Sequence, residues 1–124
     1  MTIIEGISHV DAARVKEILA KGEDIYVMDV RELEEYTEGH IPGIPLLPKG
    51  EVPGVIEQFD KDAEYIIVCR SGRRSLDVAK LFQQEGISKV HNYLGGMLEW
   101  PYEVATGPEH VIEQFSMTQL KQKK

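Results

Sequence analysis

Tyr65-Ile66-Ile67-Val68-Cys69-Arg70-Ser71-Gly72-Arg73-Arg74-Ser75 is the stretch that decides the fold. Its first four residues are apolar, largely β-branched and free of charge, which reads as a buried strand. Cys69 ends that strand. From about Arg74 to Glu85 the pattern turns helical, with Val78, Ala79, Leu81 and Phe82 on one apolar face and Gly86 as the stop. A strand, a tight turn containing Gly72 and a helix form the first half of a parallel β–α unit. In open parallel sheets, ligands bind in the crevice beyond the carboxyl ends of the strands. Cys69 therefore stands at the edge of the sheet where function is expected.

Working outward, Ile25-Tyr26-Val27-Met28 reads as a second buried strand ending at Asp29, and Lys89 to Leu94 as a last one. A helix is expected over Ser8–Lys21. Ser8 and Asp11 resemble a capping box, Val10, Ala13, Val15, Ile18 and Leu19 give an apolar stripe, and Gly22 stands at the C-terminus. Short helices are expected over Glu32–Thr37 and Glu51–Phe59. Gly39-His40-Ile41-Pro42-Gly43-Ile44-Pro45 is too rich in Gly and Pro for a regular helix and reads as a structured loop. Gly95-Gly96 turns the chain into a short segment holding Trp100. Helices alternating with strands predict an α/β domain with a mostly parallel central sheet flanked by helices in three layers. The domain is expected over residues 1–106. Residues 107–124 read as a C-terminal extension, helical or partly disordered; a partly ordered helix with a loose end at Lys121-Gln122-Lys123-Lys124 is the favoured form.

The chain has 124 residues, 42% of them hydrophobic and 28% charged, which suits one globular domain. A net charge of -7 leaves no broad footprint for nucleic acid or an anionic membrane. Of five arginines, three (Arg70, Arg73, Arg74) fall in the decisive turn. An acidic chain with one concentrated cationic spot points to a local anion site. The single cysteine excludes an intramolecular disulfide and any zinc site built on several cysteines, and it suits a reducing compartment. The N-terminus lacks the basic and apolar regions of a signal peptide, and no apolar run approaches the ~20 residues that span a bilayer. A cytoplasmic protein is expected. His9, His91 and His110 show no ligand spacing, so no metal site and no cofactor are expected.

The turn carries the chemistry. A cysteine nucleophile acts as its thiolate. The N-terminus of the following helix favours negative charge, and successive inward N–H groups make an anion nest. Gly72 permits a positive φ, Arg70, Arg73 and Arg74 supply cationic planar donors, and Ser71 and Ser75 supply hydroxyls. Such a loop suits a thiolate, a persulfide or the sulfonate end of a substrate. The commoner reading of a lone cysteine ending a buried strand is a small core residue. The arginine-rich, glycine-containing turn behind Cys69 weighs against that reading here.

Taken together, four segments in order resemble the rhodanese family over about Ile3 to Tyr102. They are Asp29-Val30-Arg31-Glu32 with Glu35-Tyr36, Gly39-His40-Ile41-Pro42-Gly43, the loop Cys69 to Ser75, and Gly95-Gly96 with Trp100. The resemblance implies a sulfurtransferase that carries sulfur as a persulfide on Cys69 and works by ping-pong exchange. It implies a small anionic donor such as thiosulfate and a thiol or protein acceptor. A monomer or weak homodimer is expected, although nothing in the sequence fixes the oligomeric state. The backbone N–H groups from Arg70 to Arg74 map onto the persulfide cradle. Arg70 and Arg73 are the candidates for gripping a sulfonate, with Ser71, Gly72 and Ser75 also at the substrate, and Arg74 closes the loop, to brace it as much as to bind substrate. Asp29 and Arg31 read as supporting residues that brace loops through ion pairs, and Glu35 reads the same way. His40 reads as a loop hydrogen-bonder in preference to a proton shuttle, and Trp100 and Tyr102 as packing. Two features depart from the family. Ile44-Pro45-Leu46-Leu47-Pro48 stands where a strand usually follows, and the tail beyond Gly107 has no counterpart.

Two rivals remain open at this point. Phosphatases and arsenate reductases also hold a cysteine in an anion loop before a helix. Their loops place one residue more between cysteine and arginine than the four, Arg70 to Arg73, that separate Cys69 from Arg74. The second rival is a non-catalytic rhodanese-like module for interaction or redox sensing.

Overall fold

A computed structural model describes residues 2–123. Its strands are β1 (Thr2–Ile4), β2 (Ile7–Val10), β3 (Tyr26–Asp29), β4 (Tyr65–Val68) and β5 (Val90–Tyr93). Its helices are α1 (Ala12–Lys21), α2 (Leu33–Glu38), α3 (Val52–Val55) and α4 (Arg73–Gln84), with 3-10 turns at Lys49–Glu51, Ile56–Gln58, Met97–Glu99 and Met117–Leu120. The five strands form one sheet in the order β1-β2-β5-β4-β3. β1 and β2 are antiparallel, and the other pairs are parallel. The mostly parallel α/β sheet expected from the sequence is present.

Strand residues alternate between two faces, and each face has its own apolar cluster. Tyr65 and Ile67 pack with Val78, Ala79 and Phe82 of α4. Ile66 and Val68 pack with Val15 and Ile18 of α1. Helices thus cover both faces, as the uncharged run of β4 requires.

Three local expectations need correction. The first helix is shorter than Ser8–Lys21, because Ser8 lies in β2, paired with His91 of β5. Asp11 is itself the N-cap and accepts the Arg14 N–H at 2.9 Å. The alternation of Ile7 and His9 inward against Ser8 and Val10 obeys the strand period, and the helical stripe begins only after it. The segment 51–59 is one turn of α3 between two 3-10 turns, since Pro53 and Gly54 interrupt a regular helix. The C-terminal stretch forms only the 3-10 turn Met117–Leu120 among its described residues; Lys124 of the expected loose end lies outside them. Its backbone is satisfied elsewhere: Leu46 N–H donates to His110 O at 2.9 Å and Ile112 N–H to Leu46 O at 3.0 Å. Ile112, Phe115 and Leu120 are buried in the α4-side core, and Phe115 stacks on Phe59 at 4.4 Å between ring centres. The strand missing after Gly43 is reduced to single bridges from Leu46 to Asp29 and to Val111.

Candidate active site

Cys69 directly follows β4, and α4 begins at Arg73. The connection is therefore four residues long, Cys69 to Gly72. Gly72 is the N-cap of α4 with φ +89°. That left-handed value favours glycine, and a Cβ there would drive into the Leu94 carbonyl. The turn folds the Cys69 sulfur back under the start of the helix. Gly72 N–H donates to Sγ at 3.1 Å and the Ser75 hydroxyl at 3.2 Å. With the N-terminus of α4 beside it, these donors favour negative charge on a sulfur that is otherwise part of the apolar core.

A second turn covers the first. Gly96 lies so close to the Arg70 carbonyl and Ser71 N that any Cβ would overlap them. Met97 N–H donates to Cys69 O at 2.9 Å and Leu98 N–H to Arg70 O at 3.0 Å. These bonds hold the Gly95-Gly96 turn on the cysteine loop. Cys69 ends fully buried, while Arg70, Ser71 and Arg73 are exposed around it. Arg70 and Arg73, exposed in and just after the turn, form no ion pair among the described residues. A buried sulfur held by polarised donors, in a turn that carries exposed arginines, can take part in chemistry with a small oxyanion that carries a transferable atom.

Residues 11–103 match the family model described as "Rhodanese-like domain". The chain belongs to the rhodanese-like family. It is 41% identical over 97 residues to "Putative sulfurtransferase YtwF" of Bacillus subtilis, covering 78% of this chain and 93% of that one. It is 32% identical over 92 residues to the thiosulfate sulfurtransferase GlpE of Pseudoalteromonas translucida, covering 74% and 87% of the two chains. Among solved structures, a rhodanese-like domain protein from Staphylococcus aureus superposes with a TM-score of 0.73 at 30% identity, over 82% of this chain and 99% of that one.

In this rhodanese-like domain Arg74, Asp29 and Arg31 are all engaged in ion pairs. Arg74 forms a two-pronged ion pair with Glu35 of α2, at 2.7 and 2.8 Å. That contact holds the Glu35 carboxyl down at about 2. Arg74 is thus committed to α2. Asp29 and Arg31 make a buried pair at 2.8 Å, and Arg31 also donates to Gly39 O at 2.8 Å. Burial pushes the Asp29 carboxyl up, and the Arg31 guanidinium and backbone N–H pull it back. The pair ties β3 to the loop before His40, a bracing geometry. His40 is buried, stacked on Tyr36 at 3.8 Å, with Nδ1 2.8 Å from Tyr36 O and Nε2 2.9 Å from Glu109 Oε1. It is fixed in its loop, with no contact to Cys69.

Sequence reasoning gave Asn92 no role and weighed His9 only as a metal ligand. Both are buried, and Asn92 reaches Gly72 and Ser75. The available signal was a polar residue at the inward position of a strand, between Val90 and Leu94.

Proposed function

We propose that the chain is a sulfurtransferase whose nucleophile is Cys69. The thiolate attacks the outer sulfur of an anionic donor such as thiosulfate. The donor's S–S bond breaks, sulfite leaves with the electron pair, and a persulfide remains on Cys69. An acceptor thiolate, or cyanide in an assay, then takes the outer sulfur and releases the Cys69 thiolate. Arg70, Ser71 and Arg73 receive the sulfonate at the mouth of the loop. Gly72 N–H and Ser75 stabilise the sulfur anion beneath, and Arg74, Asp29 and Arg31 keep the walls in place. Because Cys69 has no exposed surface, the donor's sulfur must enter the loop to react, which favours a small terminal sulfur over a bulky group.

The observation that carries this reading is the sulfur at the α4 N-terminus, 3.1 Å from Gly72 N–H and 3.2 Å from the Ser75 hydroxyl. The names of the relatives support transfer of sulfur. The single cysteine suits a reducing compartment such as the cytoplasm and a scheme without a resolving thiol. Intact mass after incubation with thiosulfate tests it. A gain of one sulfur atom, removed by cyanide and absent from Cys69→Ser, is the expected result. No gain with thiosulfate, polysulfide or glutathione persulfide would overturn the enzyme reading in favour of a binding module.

A further inference from the structure

The two groups hydrogen-bonded to the Cys69 sulfur share one further partner. Asn92, on β5 and fully buried, donates from Nδ2 to Gly72 O at 2.9 Å, and its Oδ1 meets the Ser75 hydroxyl. The orientation of the amide is fixed by its neighbours. Gly72 C=O can only accept, so Nδ2 must face it, and Oδ1 is then the acceptor for Ser75. The second Nδ2 hydrogen points to His9 Nδ1 at 3.3 Å, while His9 Nε2 lies 3.4 Å from Ile4 O. That carbonyl also only accepts, which puts the His9 proton on Nε2 and leaves Nδ1 free to accept from Asn92. The hydrogens of this buried set are thus assigned from β1 to the sulfur with no donor facing a donor.

We propose that Asn92 is a positioning residue for the Cys69 sulfur, acting through Gly72 and Ser75. It touches neither sulfur nor substrate. The Ser75 hydroxyl has one hydrogen and two acceptors, Asn92 Oδ1 and Cys69 Sγ. With a thiol, Ser75 donates to Asn92 and accepts from S–H. With a thiolate or persulfide, the charge-assisted pull of the sulfur is stronger, and the hydroxyl hydrogen is shared between Sγ and Asn92 Oδ1. Asn92 keeps Ser75 in place through both states. Its bond to Gly72 O fixes the backbone on one side of Gly72, and so aims the N–H on the other side at the sulfur. The polar group lies on β5 because Val90 and Asn92 share the face that looks onto α4, where the sulfur is.

This inference rests on Cys69 being the reactive sulfur, so the test reads nucleophilicity without a sulfur donor. The rate of Cys69 alkylation by iodoacetamide is compared in wild type, Asn92→Ala, Ser75→Ala and the double variant, well below each melting temperature. Each single change is expected to slow alkylation by about tenfold, the scale of one hydrogen bond to a charged sulfur. The double variant is expected to lose clearly less than the product of the two losses. Should the alanine cavity at Asn92 unfold the chain, Asn92→Leu keeps the volume and is expected to show the same pattern. An unchanged rate with a lowered melting temperature would make Asn92 a purely structural residue and overturn the proposal, as would losses that simply multiply. The expected pattern in a protein that takes no sulfur from any donor would leave Asn92's role standing and overturn the transfer reading alone.

Discussion

At Gly72 a single backbone conformation sets which backbone donor reaches the Cys69 sulfur. With φ at +89° the chain turns back at once, and its N–H points at Sγ 3.1 Å away. Alanine there meets a left-handed φ and the Leu94 carbonyl together. The strain costs about 1–3 kcal/mol before any clash is counted. Gly72→Ala is expected to lower the melting temperature and to slow sulfur loading of Cys69 by more than tenfold, because the displaced N–H no longer serves the sulfur. Loading and melting measured on the same sample check this. A variant that loads at the wild-type rate would show that the turn does not need its observed shape.

Between elements, the Arg74–Glu35 pair connects the cysteine loop to α2, and its contribution depends on pH. The Glu35 carboxyl lies at about 2 in the fold against 4.5 ordinarily, chiefly because of the Arg74 hydrogen bond. A lowered folded value means that the stabilisation is fully present above 4.5 and is lost as pH falls from there toward about 2. The side chains are 33% and 28% exposed, so solvent screening keeps the effect to about 1 kcal/mol. Glu35→Gln is expected to be slightly less stable at neutral pH and to show a flatter acid limb in urea denaturation. A variant whose acid limb parallels the wild type would place the acid sensitivity in other carboxylates. The same scale explains Asp29 and Arg31. They close β3 onto the Gly39 carbonyl, and their burial makes them costly to break one at a time.

On the scale of the whole molecule, the C-terminal stretch completes the core. Ile112, Phe115 and Leu120 are buried among Phe59, Tyr65 and Phe82, beyond the end of the family match at residue 103. Glu109 binds the loop as well, accepting from Gly43 N–H at 3.0 Å and lying 2.9 Å from His40 Nε2. Three large side chains contribute on the order of 5 kcal/mol when buried. That is comparable with the whole stability of many domains. Deleting residues 107–124 is therefore expected to lower the melting temperature by more than ten degrees or to prevent folding, as followed by circular dichroism. A truncated chain that melts with the full one would show the stretch to be an accessory.

The strand at Tyr65–Val68, the helix after Gly72 and the place of Cys69 between them were legible in the sequence because they depend on local chemistry. A charge-free β-branched run, a glycine and an apolar stripe act over a few residues. That Asp29 and Arg31 engage in an ion pair could be expected from their place directly after a strand, where opposite charges two residues apart meet. The first helix was read too long because Ser8 and Asp11 satisfy a local capping pattern, while pairing of β2 with β5, more than 80 residues away, takes Ser8 into the sheet. The C-terminal stretch has apolar residues at helix-compatible spacing, but the open edge at Leu46 offers its backbone bridge hydrogen bonds instead. Local reading could mark Asn92 as a polar residue at an inward strand position but not its partners: its side chain meets Gly72 and Ser75, which are 20 and 17 residues away in sequence. The sequence by itself determined the alternation of elements and the sulfur-bearing turn, since short-range propensity and pattern specify both. Only the tertiary structure decided which polar groups meet at the sulfur, because those contacts depend on strand order and register.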